Sequence, residues 1–226
     1  MGKITTLSPE ELAMIEKTPG EEVIEAAEKS GDPAIIERVK QYVSMAEGMD
    51  TMTRGWMTEA LSVIYKRCGA DAVQEAWMNF ALPAFAPGAE SFWTMNFHDR
   101  VLSTINGLRY STGGGISVLD EDDEKLTFAF KYCQTGQKLM DSGIYEGTSV
   151  RCSPHPVTAG LDNFPIYCTH NPVFDIARAQ LCDGYIQYAT EFPENVASCG
   201  CKMHIYKNKD DIPEEYYTRV GLKKPE

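Results

Sequence analysis

The chain has 226 residues, enough for one generous domain or a domain with a helical extension, and its composition of 43% hydrophobic and 24% charged residues is ordinary for a globular protein and suggests neither disorder nor a coiled coil. A net charge of −12, with no cluster of Lys and Arg, argues against a nucleic-acid partner. No apolar run approaches the roughly 20 residues that span a bilayer, the first residues lack the apolar core of a secretory signal, and seven cysteines without a CxxC pair favour free thiols, so a cytoplasmic protein without a membrane partner is expected.

The first half reads helical. Asp32-Pro33 has the form of an N-cap followed by a first-turn proline. Ile35, Ile36, Val39, Tyr42, Val43 and Ala46 then recur at helical spacing. Met52, Trp56, Met57, Ala60, Leu61 and Ile64 make a second stripe, closed by Cys68-Gly69. A third helix is predicted after Asp71, with Val73, Ala76, Trp77 and Phe80 inward, until Pro83 stops it. A fourth is predicted over residues 89–106, through Phe92, Met95, Leu102 and Ile105. These Met and Trp stripes are expected to be core packing.

At Gly113-Gly114-Gly115, expected to act as a hinge or bulge, the period switches from 3.6 to 2. A strand over 116–119 turns through the acidic run 120–124 into a second, where Leu126, Phe128, Phe130 and Tyr132 alternate with Thr127, Ala129, Lys131 and Cys133. Residues 143–165, rich in Gly, Pro and Ser, read as a long loop. A short strand is predicted over 164–170, then a helix with Asn171 as N-cap and Pro172 as its first residue, running to about Cys182-Asp183-Gly184. Two last strands, 185–192 and 196–207, flank the turn Pro193-Glu194-Asn195. The expected fold is α+β: a helical region, 1–108, packed on a C-terminal antiparallel sheet with one or two helices, 109–226, in one integrated domain.

The residues that suggest chemistry lie in the second half. On a strand, Cys168 and His170 would share one face, and both sit where a strand feeds a helix N-terminus. Free amides and the helix dipole there favour an anion, which would lower a thiol pKa and make Cys168 a nucleophile with His170 as acid/base. His155, held between Pro154 and Pro156, and Cys133, at a strand end, are further catalytic candidates. Asn171, Tyr167 and Trp93 are candidates for substrate contact. Cys199 and Cys201 are expected to be core, and His98 and His204 structural or exposed. A rival grouping makes Cys133, Cys168, His170 and Cys201 ligands for a soft metal, although their spacing matches no compact motif. The expected site holds no metal and no cofactor.

Residues from about Lys131 to Lys207, a third of the chain, resemble the L-2-amino-thiazoline-4-carboxylic acid hydrolase-like family. The resemblance rests on Cys133-Gln134-Thr135-Gly136, Tyr167-Cys168-Thr169-His170 with its following helix, and the closing Cys199-Gly200-Cys201-Lys202-Met203-His204-Ile205. Asn171-Pro172 after His170 departs from the pattern, where another cysteine would be expected. The closing helix–hairpin–cysteine pattern also resembles 4-vinyl-reductase-type small-molecule-binding domains. The resemblance implies a hydrolase that breaks a C–N or C–S bond in a small, carboxylated, cyclic substrate. Two other readings are a non-catalytic module binding an apolar ligand among Trp56, Trp77, Phe92 and Trp93, and an interaction protein that forms a homo-oligomer through its N-terminal helices.

Overall fold

The computed structural model describes residues 4–193, 195–196 and 200–226. Two short helices come first, α1 (Pro9–Ile15) and α2 (Pro19–Glu28). Each begins with a proline behind a reciprocal capping box, Ser8 with Glu11 and Thr18 with Glu21. Neither was expected from the apolar pattern. Asp32 caps α3 (Pro33–Cys68) as predicted, its carboxylate accepting from the amides of Ala34 and Ile35. The two predicted stripes lie on this one continuous helix. Gly69, at φ 84°, ends it.

The third helix, α4 (Ala70–Ala89), does not stop at Pro83; the chain leaves helical geometry at Pro87-Gly88 instead. A long apolar contact with the later helix α7 (His170–Leu181) holds α4 together past the proline. The fourth predicted helix is shifted. A single 3-10 turn occupies Phe92–Thr94, and α5 (Phe97–Thr112) follows, its N-terminus capped by Asn96 accepting from the amide of Asp99.

The triple glycine is neither hinge nor bulge. Gly113, at φ 76°, caps α5 in the left-handed region, and a Cβ on Gly115 would lie 2.3 Å from the carbonyl oxygen of Glu16. The glycines therefore let the end of α1 close onto the start of the sheet. Strands β1 (Ile116–Glu121) and β2 (Lys125–Phe130) form the predicted hairpin, with the Asp122 carboxylate accepting from the amides of Glu124 and Lys125. After α6 (Gly136–Asp141), the predicted long loop contains a short ladder, β3 (Arg151–Cys152) with β4 (Phe164–Pro165). Following α7, β5 (Ala189–Glu191) and β6 (Lys202–Tyr206) complete a four-stranded antiparallel sheet in the order β1-β2-β6-β5; α8 (Glu215–Thr218) comes last. Cys199 and Glu194, which fall in the predicted hairpin and turn, lie outside the described residues.

The fold is thus α+β, with helices packed on an antiparallel sheet in the C-terminal half. Leu126 and Phe128 face Ile205 and Met203 across β2 and β6, and this face buries Leu7, from the segment before α1, with Ile15 of α1 and Val101 and Ile105 of α5. A second apolar cluster joins Leu61, Val73 and Trp77 to Phe164, Ile166 and Val173. The site lies at the end of the sheet face, where it meets α5 and α7. Among the described residues, no helix is long and apolar enough to cross a membrane.

Candidate functional site

The segment expected to be a strand is mostly something else. Only Phe164 and Pro165 pair as β4; Ile166–Thr169 make a 3-10 turn, and His170 is the first residue of α7. Side chains two apart on such a turn do not share a face, so the argument for pairing Cys168 with His170 by strand alternation fails. Asn171 and Pro172 are not N-cap and first residue but lie inside the first turn, where a missing N–H costs nothing.

Long-range contacts fix this turn. The Trp77 indole N–H donates to Thr169 Oγ1 at 3.0 Å, while the Thr169 hydroxyl donates to the carbonyl of Ile166 at 2.6 Å. Tyr145 Oη accepts from the amide of Tyr167 at 3.3 Å. His170 Nδ1 lies 2.7 Å from the Tyr167 carbonyl oxygen. A carbonyl only accepts, so Nδ1 carries the proton and Nε2 is left with its lone pair.

Cys168 and His170 meet at the wall of a cavity of about 220 Å³. Cys133, just after β2, and Cys201, just before β6, line the same cavity. The fold therefore gathers the four residues of the rival grouping, from three separate stretches of chain. Among the described residues, however, no three His, Cys, Asp or Glu side chains are arranged to hold a metal ion. Leu108, Phe130 and Met203 supply apolar wall, and Asn171 borders the space. Thr190, on β5, also lines it; its hydroxyl is buried and has no hydrogen-bond partner among the described residues. Cys133 Sγ lies 3.1 Å from Thr135 Oγ1.

The electrostatics run opposite to expectation. Burial pushes the Cys168 thiol well above its ordinary value; neighbouring Cys133 and Cys201 push it further, and Arg151 offsets only part. Cys168 is half-buried at the cavity wall. Cys201 is pushed up to about 12, by burial and then by Cys133. At neutral pH both are thiols, and the start of α7 does not make a resting thiolate of Cys168. His170 is pulled down to about 4, chiefly by burial, so its imidazole is neutral.

Three predicted site residues lie elsewhere. His155 caps the 3-10 turn Pro156–Thr158, accepting from the amide of Val157, and its Nε2 lies 3.2 Å from the exposed carboxylate of Asp71. Tyr167 is buried edge-on to Trp77, with its hydroxyl toward Arg54. Trp93 stacks beneath the Arg100 guanidinium at 4.6 Å and beside Tyr185. The proposed aromatic pocket is likewise dispersed, because Trp56 is exposed and Phe92 packs with Trp93. Cys201, read from sequence as core, belongs to the cavity instead. Thr190 carried no sequence signal; its role comes from β5 lying beside β6.

A larger and more open groove of about 340 Å³ runs between α2, α3 and α5 and shares Thr112 with the thiol cavity. It has Asp50, Arg54 and Lys138 in its lining but no thiol and no imidazole, so the chemistry belongs to the smaller space. Comparison of the chain with family models, curated proteins and solved structures gives no match.

Proposed function

We propose that this protein is a cysteine-dependent hydrolase of a C–N or C–S bond in a small cyclic, carboxylated substrate, with the thiol cavity as its active site. The observation that carries the reading is the convergence of Cys133, Cys168, Cys201 and His170 on one small space with apolar walls. Its volume is below the roughly 300–1,000 Å³ of sites that hold drug-sized ligands, which suits a small substrate.

Because Cys168 rests as a thiol, its proton must leave as the bond forms. The Cys168 sulfur adds to the electrophilic carbon while its proton passes to the departing nitrogen or sulfur, directly or by way of His170 Nε2. The C–N or C–S bond then breaks. Water hydrolyses the acylated sulfur, and the Cys168 thiol is restored with one of the water's protons. Asn171, at the cavity wall, carries a side-chain amide that can donate to the negative charge that develops on the substrate.

The raised thiols favour a second reading, a non-catalytic module whose cavity simply encloses a small ligand. Both are tested by screening small thiazolines and lactams for release of new thiol or amine. The hydrolase reading predicts turnover that falls at least ~100-fold in Cys168→Ser, about 2.7 kcal/mol of barrier, with less than about tenfold loss in Cys133→Ser. Full turnover in Cys168→Ser rules out the nucleophile. Saturable binding without turnover across the screen supports the binding module.

A further inference from the structure

Helix α3 has two apolar faces, and the fold uses only one of them. Leu61 is buried, and Met57 and Ile64 pack beside it against the protein's own core. On the opposite side Ile35, Tyr42, Met45, Met49, Met52, Trp56 and Val63 are all exposed, Met52 by 69% and Trp56 by 73%. The core packing expected from sequence is overturned at Ile35, Tyr42, Met52 and Trp56. The steps from Tyr42 to Trp56 alternate three and four residues, which is the a/d spacing of a helix that pairs with another helix. Over residues 33–53 no residue of α3 is fully buried, although the helix runs unbroken for 36 residues, about 54 Å.

We propose that this face docks against the same face of a second copy of the chain, the two α3 helices lying antiparallel. Three observations support that occupant. The positions flanking the stripe between Arg38 and Glu59 are Val39, Gln41, Ala46, Gly48, Thr53 and Gly55, none of them charged in a chain carrying −12. Tyr, Trp and Met with few charges is the composition of a protein interface core. Gly48 weakens a helix interior and meets nothing of its own chain, since a Cβ there would have no neighbour within 4 Å. A glycine at that place lets a facing helix approach closely.

The remaining observations concern area and charge. The six exposed side chains from Ile35 to Trp56 present on the order of 700 Å², at about 200 Å² for each full side chain. That is close to the roughly 800 Å² per partner buried in a stable complex. The stripe has Arg38 toward one end and Glu59 toward the other. An antiparallel pair brings Arg38 of each copy toward Glu59 of the other, whereas a parallel pair would oppose like charges at both ends.

The test is the mass of the full chain in solution, by sedimentation equilibrium at micromolar concentration. The expected result is twice the 25.2 kDa of one chain. Met45→Glu with Met52→Glu, both at exposed positions, should weaken association more than ~100-fold with an unchanged helical circular dichroism signal. Arg38→Glu should weaken it by about tenfold, because the new carboxylate faces Glu59 of the other copy. A monomeric wild-type chain overturns the proposal, and its adsorption to anionic vesicles would assign the face to a membrane surface instead. A double variant that remains folded and dimeric places the interface elsewhere. Should the double variant lose its helical signal, Arg38→Glu decides: undiminished association contradicts the antiparallel pair.

Discussion

Two residues outside the cavity, Trp77 and Thr169, help to hold the turn that carries Cys168. The indole of Trp77 is buried against Tyr167 and Phe174, and its single N–H is satisfied by the Thr169 hydroxyl. Trp77→Phe removes that donor and leaves a space where the larger ring was. The expected cost is about 1–3 kcal/mol, read from the denaturant midpoint. Turnover should fall with it, because the turn carrying Cys168 loses one of its supports. Wild-type stability in Trp77→Phe would show that the turn is held from its other sides alone. The same pair explains why Ile166–Thr169 form a 3-10 turn and not the expected strand. A short apolar run is ambiguous by periodicity, and its resolution depended on a partner 92 residues away. The type of candidate residue was legible in the sequence; its geometry and protonation state were not, since burial decides both.

At the scale of elements, local signals read well wherever the chain caps its own structure. Asp32-Pro33, Cys68-Gly69 and the change of period at the triple glycine all mark true boundaries. Pro83 misled because contact with α7 overrides a local breaker, and the outer face of α3 misled because periodicity shows that a face is apolar without showing what covers it. The N-terminal segment shows another long-range tie. Glu121, at the end of β1, accepts from the amides of Thr5 and Thr6 at 2.8 and 3.0 Å and from both hydroxyls, and Lys207 Nζ lies 3.3 Å away. Burial alone would raise its pKa; the hydrogen bonds outweigh it and hold the carboxyl down at about 2, from an ordinary 4.5. A carboxyl depressed in the folded state stabilises above its unfolded pKa, and that stability is lost as pH falls through the folded value. The contribution is on the order of 3 kcal/mol near neutrality. Glu121→Gln should therefore be less stable than wild type at pH 6, with the gap narrowing by about 2 kcal/mol at pH 3. A gap that stays constant with pH would contradict this tie.

For the whole molecule, the fold's main consequence is assembly. Cys133 follows one strand of the sheet, Cys201 precedes another, and Cys168 with His170 arrives from the turn that feeds α7. Together they make a space that no single stretch of chain contains. Among the described residues the other thiols stand apart: Cys152 and Cys182 are buried, the latter donating to the Ala89 carbonyl, while Cys68 is exposed at the end of α3. That separation allows a direct test of covalent chemistry at Cys168. A compound identified as a substrate is mixed with the protein, the reaction is quenched in acid during turnover, and the acylated peptide is mapped by mass spectrometry. The adduct is expected on Cys168 and absent from the Cys168→Ser protein. An adduct confined to the exposed Cys68, or turnover with no acylated cysteine at any quench time, would contradict it.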